Sequence, residues 1–241
     1  MRRLFSHFRV AASLLVFVAL ALPLSAQAPA GSNVSGPGKQ PELWGVWYMQ
    51  GRVDIHLIPL KDAPLTPWGQ ERMKFNRTQP LGTAICLPPG VPEIWQIPAP
   101  FEIMSVPGRV LILHEQQHLL RQIYLNREHP KNVLPTWMGD SIARWEGQTL
   151  VVDTTGFNEL TWVDLWGLPH SGELHVTERL GLVSPDVLRV EMTVEDPKAY
   201  TKPWSVVYKF DRKPDWVIGE NICEDNNTYL KPTKDAPLQI D

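Results

Sequence analysis

Glu178, Glu220, Asp153 and His170 are the side chains of this sequence whose surroundings suit acid–base chemistry. Glu178 falls in register with Leu174, Val176, Leu180 and Leu182, and Glu220 with Trp216, Ile218 and Ile222. Alternate side chains of a strand share a face, so both carboxylates are expected to point into an apolar interior. An ionised carboxylate is costly to bury alone and must be paired, protonated or facing a wet cavity. Two such groups flanking a substrate could act as general acid and base, as in glycoside hydrolysis. Paired instead with Arg121 or Arg179, they would fix strand register. His170 stands between Pro169 and Ser171, close in sequence to Trp162, Asp164 and Trp166. A loop imidazole beside a carboxylate can serve as general base, so His170, Asp153 and Glu178 form the expected catalytic set of an enzyme.

A ligand cavity has its own candidates. Trp137, Trp145, Trp162 and Trp166 would wall it, and Arg121, Tyr124 and Glu220 would floor it with Glu178. His129 lies beside Pro130 in a second long loop. Aromatics at a barrel mouth suit an apolar or sugar-like molecule. Arg121 belongs to either of two alternating sets, with Leu119 and Ile123 or beside Leu120 and Tyr124, so the pattern leaves its direction open. No metal and no cofactor are expected. His114 and His118 straddle a turn, and Cys86 and Cys223 are too few for a structural zinc site. Ser141 and Ser171 lack the Gly-x-Ser-x-Gly setting of a serine hydrolase.

These residues need elements to hold them. The stretches 101–106, 109–115, 119–125, 141–145 and 149–155 read as strands, with turns at Pro107-Gly108, Gln116-Gln117 and Glu146-Gly147-Gln148. Four further alternating segments run from Leu174 to Ile222, and Leu43 to Tyr48 reads as the first strand. Thr66 and Pro67 mark the start of one short helix continuing through Phe75. Short strands with tight turns and no βαβ spacing predict an all-β fold. The expected architecture is an antiparallel, lipocalin-like barrel of about eight to ten strands. Two long loops, 126–140 and 156–173, are expected to carry the function.

The N-terminus reads as an address. Arg2, Arg3 and Arg9 precede an apolar run from Val10 to Leu24 and the small-x-small site Ala26-Gln27-Ala28, which is the pattern of a secretory signal peptide. The expected organisation is a signal peptide at 1–28, a flexible linker at 29–41, one barrel domain at 42–230 and a tail at 231–241. Cleavage removes three arginines and no acid, so the mature chain is more acidic than the formal −3 of the whole sequence. An acidic chain without a basic run argues against nucleic acid as a partner, and no stable membrane insertion is expected once the signal peptide is cleaved. Cys86 and Cys223, in an oxidising compartment, are expected to form a disulfide. The sequence does not set an oligomeric state.

Gly45-Val46-Trp47 resembles the Gly-x-Trp signature of lipocalin and calycin barrels, in which the tryptophan packs across the closed end. A longer resemblance runs from about Leu43 to Asn227, to a family of secreted bacterial proteins with no assigned activity. It rests on Cys86 to Gly90, Gly139 to Gly147, Thr149 to Thr154, Gly156-Phe157, Pro169-His170-Ser171, Glu178-Arg179 and Asp196-Pro197. Asp140 stands where that family has a histidine, which speaks against a metal there. The resemblance implies a secreted barrel. The expectation is therefore a periplasmic or secreted barrel binding a small, partly apolar molecule. The alternatives are a barrel hydrolase, lyase or isomerase using a His/carboxylate pair, and a structural envelope protein with a filled barrel.

Overall fold

The computed structural model describes residues 42–50 and 62–223. The expected signal peptide (1–28), linker (29–41) and tail (231–241) lie outside the described residues. Nine strands form a closed barrel: β1 (Gly45–Met49), β2 (Phe101–Val106), β3 (Arg109–His114), β4 (Leu120–Leu125), β5 (Asp140–Glu146), β6 (Thr149–Thr155), β7 (His175–Ser184), β8 (Val187–Glu195) and β9 (Trp204–Arg212). Each strand pairs with its sequence neighbours, and β1 closes on β9. Among the described residues no helix is long and apolar enough to cross a membrane.

The all-β barrel with one short helix is as expected, but it is not wholly antiparallel: β4 and β5 run parallel. A ring with an odd number of strands cannot alternate direction all the way round, so nine strands require at least one parallel pair. The 126–139 connection is where this happens, because a parallel pair needs a crossover of about a dozen residues or more. The expected last strand, from Trp216 to Ile222, does not form: after β9 the chain runs as turn and irregular segments. Trp216 and Val217 are exposed.

Alternation sorts the side chains as the period of two requires. Ile103, Ile112, Ile123, Ala143, Leu150, Val152, Val176, Leu180, Leu188, Val190, Met192 and Phe210 are buried. Trp47 is buried too; its indole N–H donates to the Leu43 carbonyl at 2.9 Å, and the Arg212 guanidinium lies 4.2 Å from its ring centroid. The segment before β2 makes a 3-10 turn at Glu93–Gln96 whose residues are all buried. Its Trp95 packs edge-on against Phe101 at 5.2 Å and against His114 at 5.8 Å, and lies 5.6 Å from Phe210. These rings therefore pack together inside the barrel.

The helix α1 (Pro67–Asn76) starts as predicted, with Pro67 in its first turn and the Thr66 hydroxyl accepting from the Gly69 amide at 3.0 Å. Gly69 is needed there, since a Cβ would come within 2.3 Å of the Ala199 carbonyl oxygen. Gly90 answers two demands: its φ is +68°, and a Cβ would lie 2.4 Å from the Trp137 carbonyl oxygen. Cys86 and Cys223 form a disulfide with Cα atoms 5.6 Å apart, within the usual range.

Candidate functional site

The inward carboxylate of β7, Glu178, is fully buried and paired. Arg121 shares the inner face of β4 with Ile123, which settles its direction, and donates from Nη1 to Glu178 Oε1 at 2.9 Å and from Nη2 to Oε2 at 2.5 Å. Trp95 Nε1 donates to the same Oε1 at 2.5 Å. Arg121 also donates to Thr154 Oγ1 at 3.0 Å and Ser141 Oγ at 3.2 Å. Charge and hydrogen-bonding capacity are thus matched within the barrel. Beside this network His114 is buried, its Nε2 has no hydrogen-bond partner among the described residues, and burial followed by the Arg121 charge pushes it down to about 3.

Asp153 is on the opposite surface of the sheet from this network. Leu150, Val152 and Thr154 are the inward residues of β6, so Asp153 faces outward, as do Asp140 on β5 and His175 on β7. The loop after β4 lays His129 over this outer face. His129 Nδ1 lies 2.8 Å from Asp140 Oδ1, and its Nε2 lies 2.8 Å from Asp153 Oδ1. His175 Nε2 lies 2.8 Å from Asp153 Oδ2, and its Nδ1 lies 3.7 Å from Glu195. Arg127 pairs with Asp140 and stacks 3.9 Å from the Tyr124 ring centroid. Partial desolvation raises Asp153, but the hydrogen bonds and charges of His129 and His175 outweigh it and hold the carboxyl below its usual range. Beside this chain is a cavity of about 340 Å³, with Ile142 and Val151 as apolar lining and Arg127, Glu128, Arg144 and Asp153 as charged lining. Among the described residues no trio of His, Cys, Asp or Glu is set for metal ligation.

A second cavity, of about 240 Å³, is bounded by α1, the 78–93 segment and the loop after β6. Arg72, Phe75 and Asn76 reach it from one face of the helix, at the spacing that brings side chains together. Ile85, Leu87, Leu160 and Trp162 supply apolar wall, and Glu93, Glu159 and Thr161 supply polar groups. Glu93 is only 3% exposed. Burial raises it to about 8, a backbone hydrogen bond at Trp162 works against that, and the charge of Asp164 adds to it. Its Oε1 has no hydrogen-bond partner among the described residues. At neutral pH Glu93 is a carboxylic acid, able to donate.

His170 stands one hydrogen bond behind this cavity. Its Nδ1 is 3.1 Å from the Ser171 carbonyl, which can only accept, so Nδ1 carries the proton. Nε2 therefore accepts from Thr161 Oγ1 at 2.8 Å, and Thr161 lines the cavity. Burial lowers the imidazole's pKa; the Ser171 hydrogen bond and the charges of Asp196 and Glu159 oppose this, and Arg72 reinforces it. The loop is pinned from behind. Asp196 accepts from the Ser171 amide at 2.6 Å and hydroxyl at 3.0 Å, Tyr200 donates to the Pro169 carbonyl at 2.8 Å, and Asn76 donates to the Gly167 carbonyl at 3.1 Å.

The three expected catalytic residues are thus distributed among three places. His170 bonds Thr161, Asp153 bonds His129 and His175, and Glu178 bonds Arg121 and Trp95. Inside the barrel, where the cavity was expected, Trp95 and the Arg121–Glu178 pair are buried. Tyr124 lies under Arg127 rather than on a cavity floor, and Glu220 is exposed because its strand does not form. Among the loop tryptophans, Trp162 lines a cavity, Trp137 and Trp145 are half-buried and Trp166 is exposed. Sequence reading missed Glu93, Arg72, Thr161 and His175. Glu93 had a signal, a lone acid at the head of the mostly apolar stretch Ile94-Trp95-Gln96-Ile97. His175 had one too, two residues before Thr177 on the outward set of β7.

No protein-family model and no curated protein matches the chain. The closed barrel accords with the architecture implied by the resembling motifs, and it is the barrel alone that they share with this structure.

Proposed function

We propose that this is a secreted or periplasmic barrel protein that binds a small, partly apolar molecule in the cavity between α1 and the loop after β6. A buried, partner-deficient, protonated Glu93 in the wall of an apolar-lined cavity carries the reading. An acid left unsatisfied costs stability, and a ligand acceptor would recover that cost. Phe75, Leu87 and Leu160, exposed at 52%, 37% and 65%, lie around the same opening, where a ligand would cover them. The disulfide and the signal-peptide pattern support the compartment. Incubation with a metabolite mixture, followed by mass spectrometry of what is retained, tests the reading. Retained compounds should be lost on Leu160→Arg, which fills the opening with charge. Equal retention by that variant sinks the assignment.

A second reading is favoured by one observation. Glu93 and His170 are pushed in opposite directions beside the same cavity, one held as an acid and the other as a neutral base acting through Thr161. Such divergent pairs mark acid–base assignments in enzymes. The corresponding activity would be a proton-transfer reaction on the bound molecule. The same incubation, read for transformed compounds, tests it: conversion should fall in Thr161→Val, which removes the link to His170 and keeps the side-chain shape.

A further inference from the structure

We infer that the ligand of the α1 cavity carries a carboxylate, held by Arg72, beside an apolar body. The inference rests on the cavity reading above and deepens it. Arg72 projects from the helix face that lines the cavity, its guanidinium 5.2 Å from the Phe75 ring centroid. Among the described residues no carboxylate lies within ion-pairing distance of it, whereas Arg189, also half-buried, pairs with Glu191. The nearest acids in the wall are engaged otherwise. Glu159 accepts from the Gly172 amide at 2.7 Å. Glu93 is protonated at neutral pH, so it repels no anion and can donate its proton to one.

A planar guanidinium held over an aromatic ring, in a cavity whose wall also carries an uncharged acid, is a receptor for a carboxylate. Phe75, Leu160 and Trp162 then take an alkyl or aryl group. An ammonium ligand fits less well. It would meet the Arg72 charge, burial favours the neutral form of Glu93, and the remaining wall carboxylate, Glu159, already accepts from the Gly172 amide.

Three probes that share one body separate the possibilities: 4-phenylbutyrate, 4-phenylbutanol and 4-phenylbutylamine, titrated at pH 6.5 by calorimetry. The acid should bind at least roughly tenfold more tightly than the alcohol, the worth of a charge-assisted hydrogen bond. Arg72→Met should bring acid and alcohol to within about twofold of each other, with alcohol affinity unchanged. Glu93→Gln should keep acid binding. In the wild type, affinity for the acid should weaken above about pH 8, where Glu93 ionises, and in Glu93→Gln it should not. If alcohol binds as well as acid, or amine binds best, the carboxylate inference is overturned while the cavity reading stands. If none of the three binds at millimolar concentration, the cavity reading fails with it.

Discussion

Buried charge is handled in two different ways in this molecule, and the difference decides what each residue can do. Arg121 and Glu178 solve burial by pairing, with Trp95, Ser141 and Thr154 taking up the remaining bonds. Glu93 solves it by staying protonated. The first arrangement has no spare capacity for a ligand; the second leaves an oxygen free. The pairing gives a direct prediction. Glu178→Leu strands a guanidinium that is 1% exposed, and removing one member of such a pair costs about 3–5 kcal/mol. The double variant Arg121→Met/Glu178→Leu removes both charges and should recover most of that loss, as read by urea unfolding. If the single variant is as stable as the wild type, the pair is not the structural device described above. Glu178 was legible in the sequence, because strand alternation gives the side a residue faces and β7 stays in register from His175 to Leu182. Its partner was not legible, since a residue between two apolar sets can face either way and only closure of the barrel decides.

At the scale of elements, the strands and turns were readable and the connections were not. β2 and β6 fall on their predicted bounds, and the helix begins at its predicted cap, because period, turn residues and capping are local. The segment from Trp216 to Ile222 alternates too, but β9 already closes on β1, so no edge remains for it to pair with. Periodicity cannot count the strands of a barrel. The position of Trp95 inside the barrel was equally hidden, since an irregular Pro-rich segment has no period to read. That segment also forms one wall of the α1 cavity. Between described residues, the backbone hydrogen bonds of 78–87 are local, such as Leu87 N–H to Gly82 and Ala84 N–H to Leu81. The disulfide joins this wall to the end of the described chain across 137 residues. Closing so long a loop is worth about 4–5 kcal/mol in the chain-entropy account. The variant Cys86→Ser/Cys223→Ser should therefore unfold at lower denaturant, and in native conditions amides 82–87 should exchange hydrogen faster while those of β2 and β6 keep their protection. Uniform loss of protection would mean that the bond does not act on this wall in particular.

For the molecule as a whole, the shifted groups combine into one pH profile. Glu93 is raised from 4.5 to about 8, so the folded state holds a proton that the unfolded chain releases. Its contribution is full below 4.5, declines as pH rises and is gone above about 8. His114 is lowered from 6.5 to about 3, and His170 is lowered in the same sense. Both favour the fold above 6.5 and lose that contribution as pH falls and the unfolded chain takes up their protons. Asp153, held below its usual range, loses its contribution further down, as it protonates. Between 4.5 and 6.5 the two histidines gain against one carboxyl that loses, so stability rises with pH. Above 6.5 only the Glu93 decline remains, at about 1.4 kcal/mol per pH unit for a whole proton, or about 2 kcal/mol by pH 8. The melting temperature should therefore peak near pH 6.5. Glu93→Gln, which copies the neutral acid without its proton, should turn the falling limb into a plateau and leave the rising limb in place. Differential scanning calorimetry of both proteins across pH 4 to 9 checks this, and a wild-type melting temperature that holds level or climbs from pH 6.5 to 8 would show that Glu93 is ionised in the fold, removing the donor on which the binding site depends.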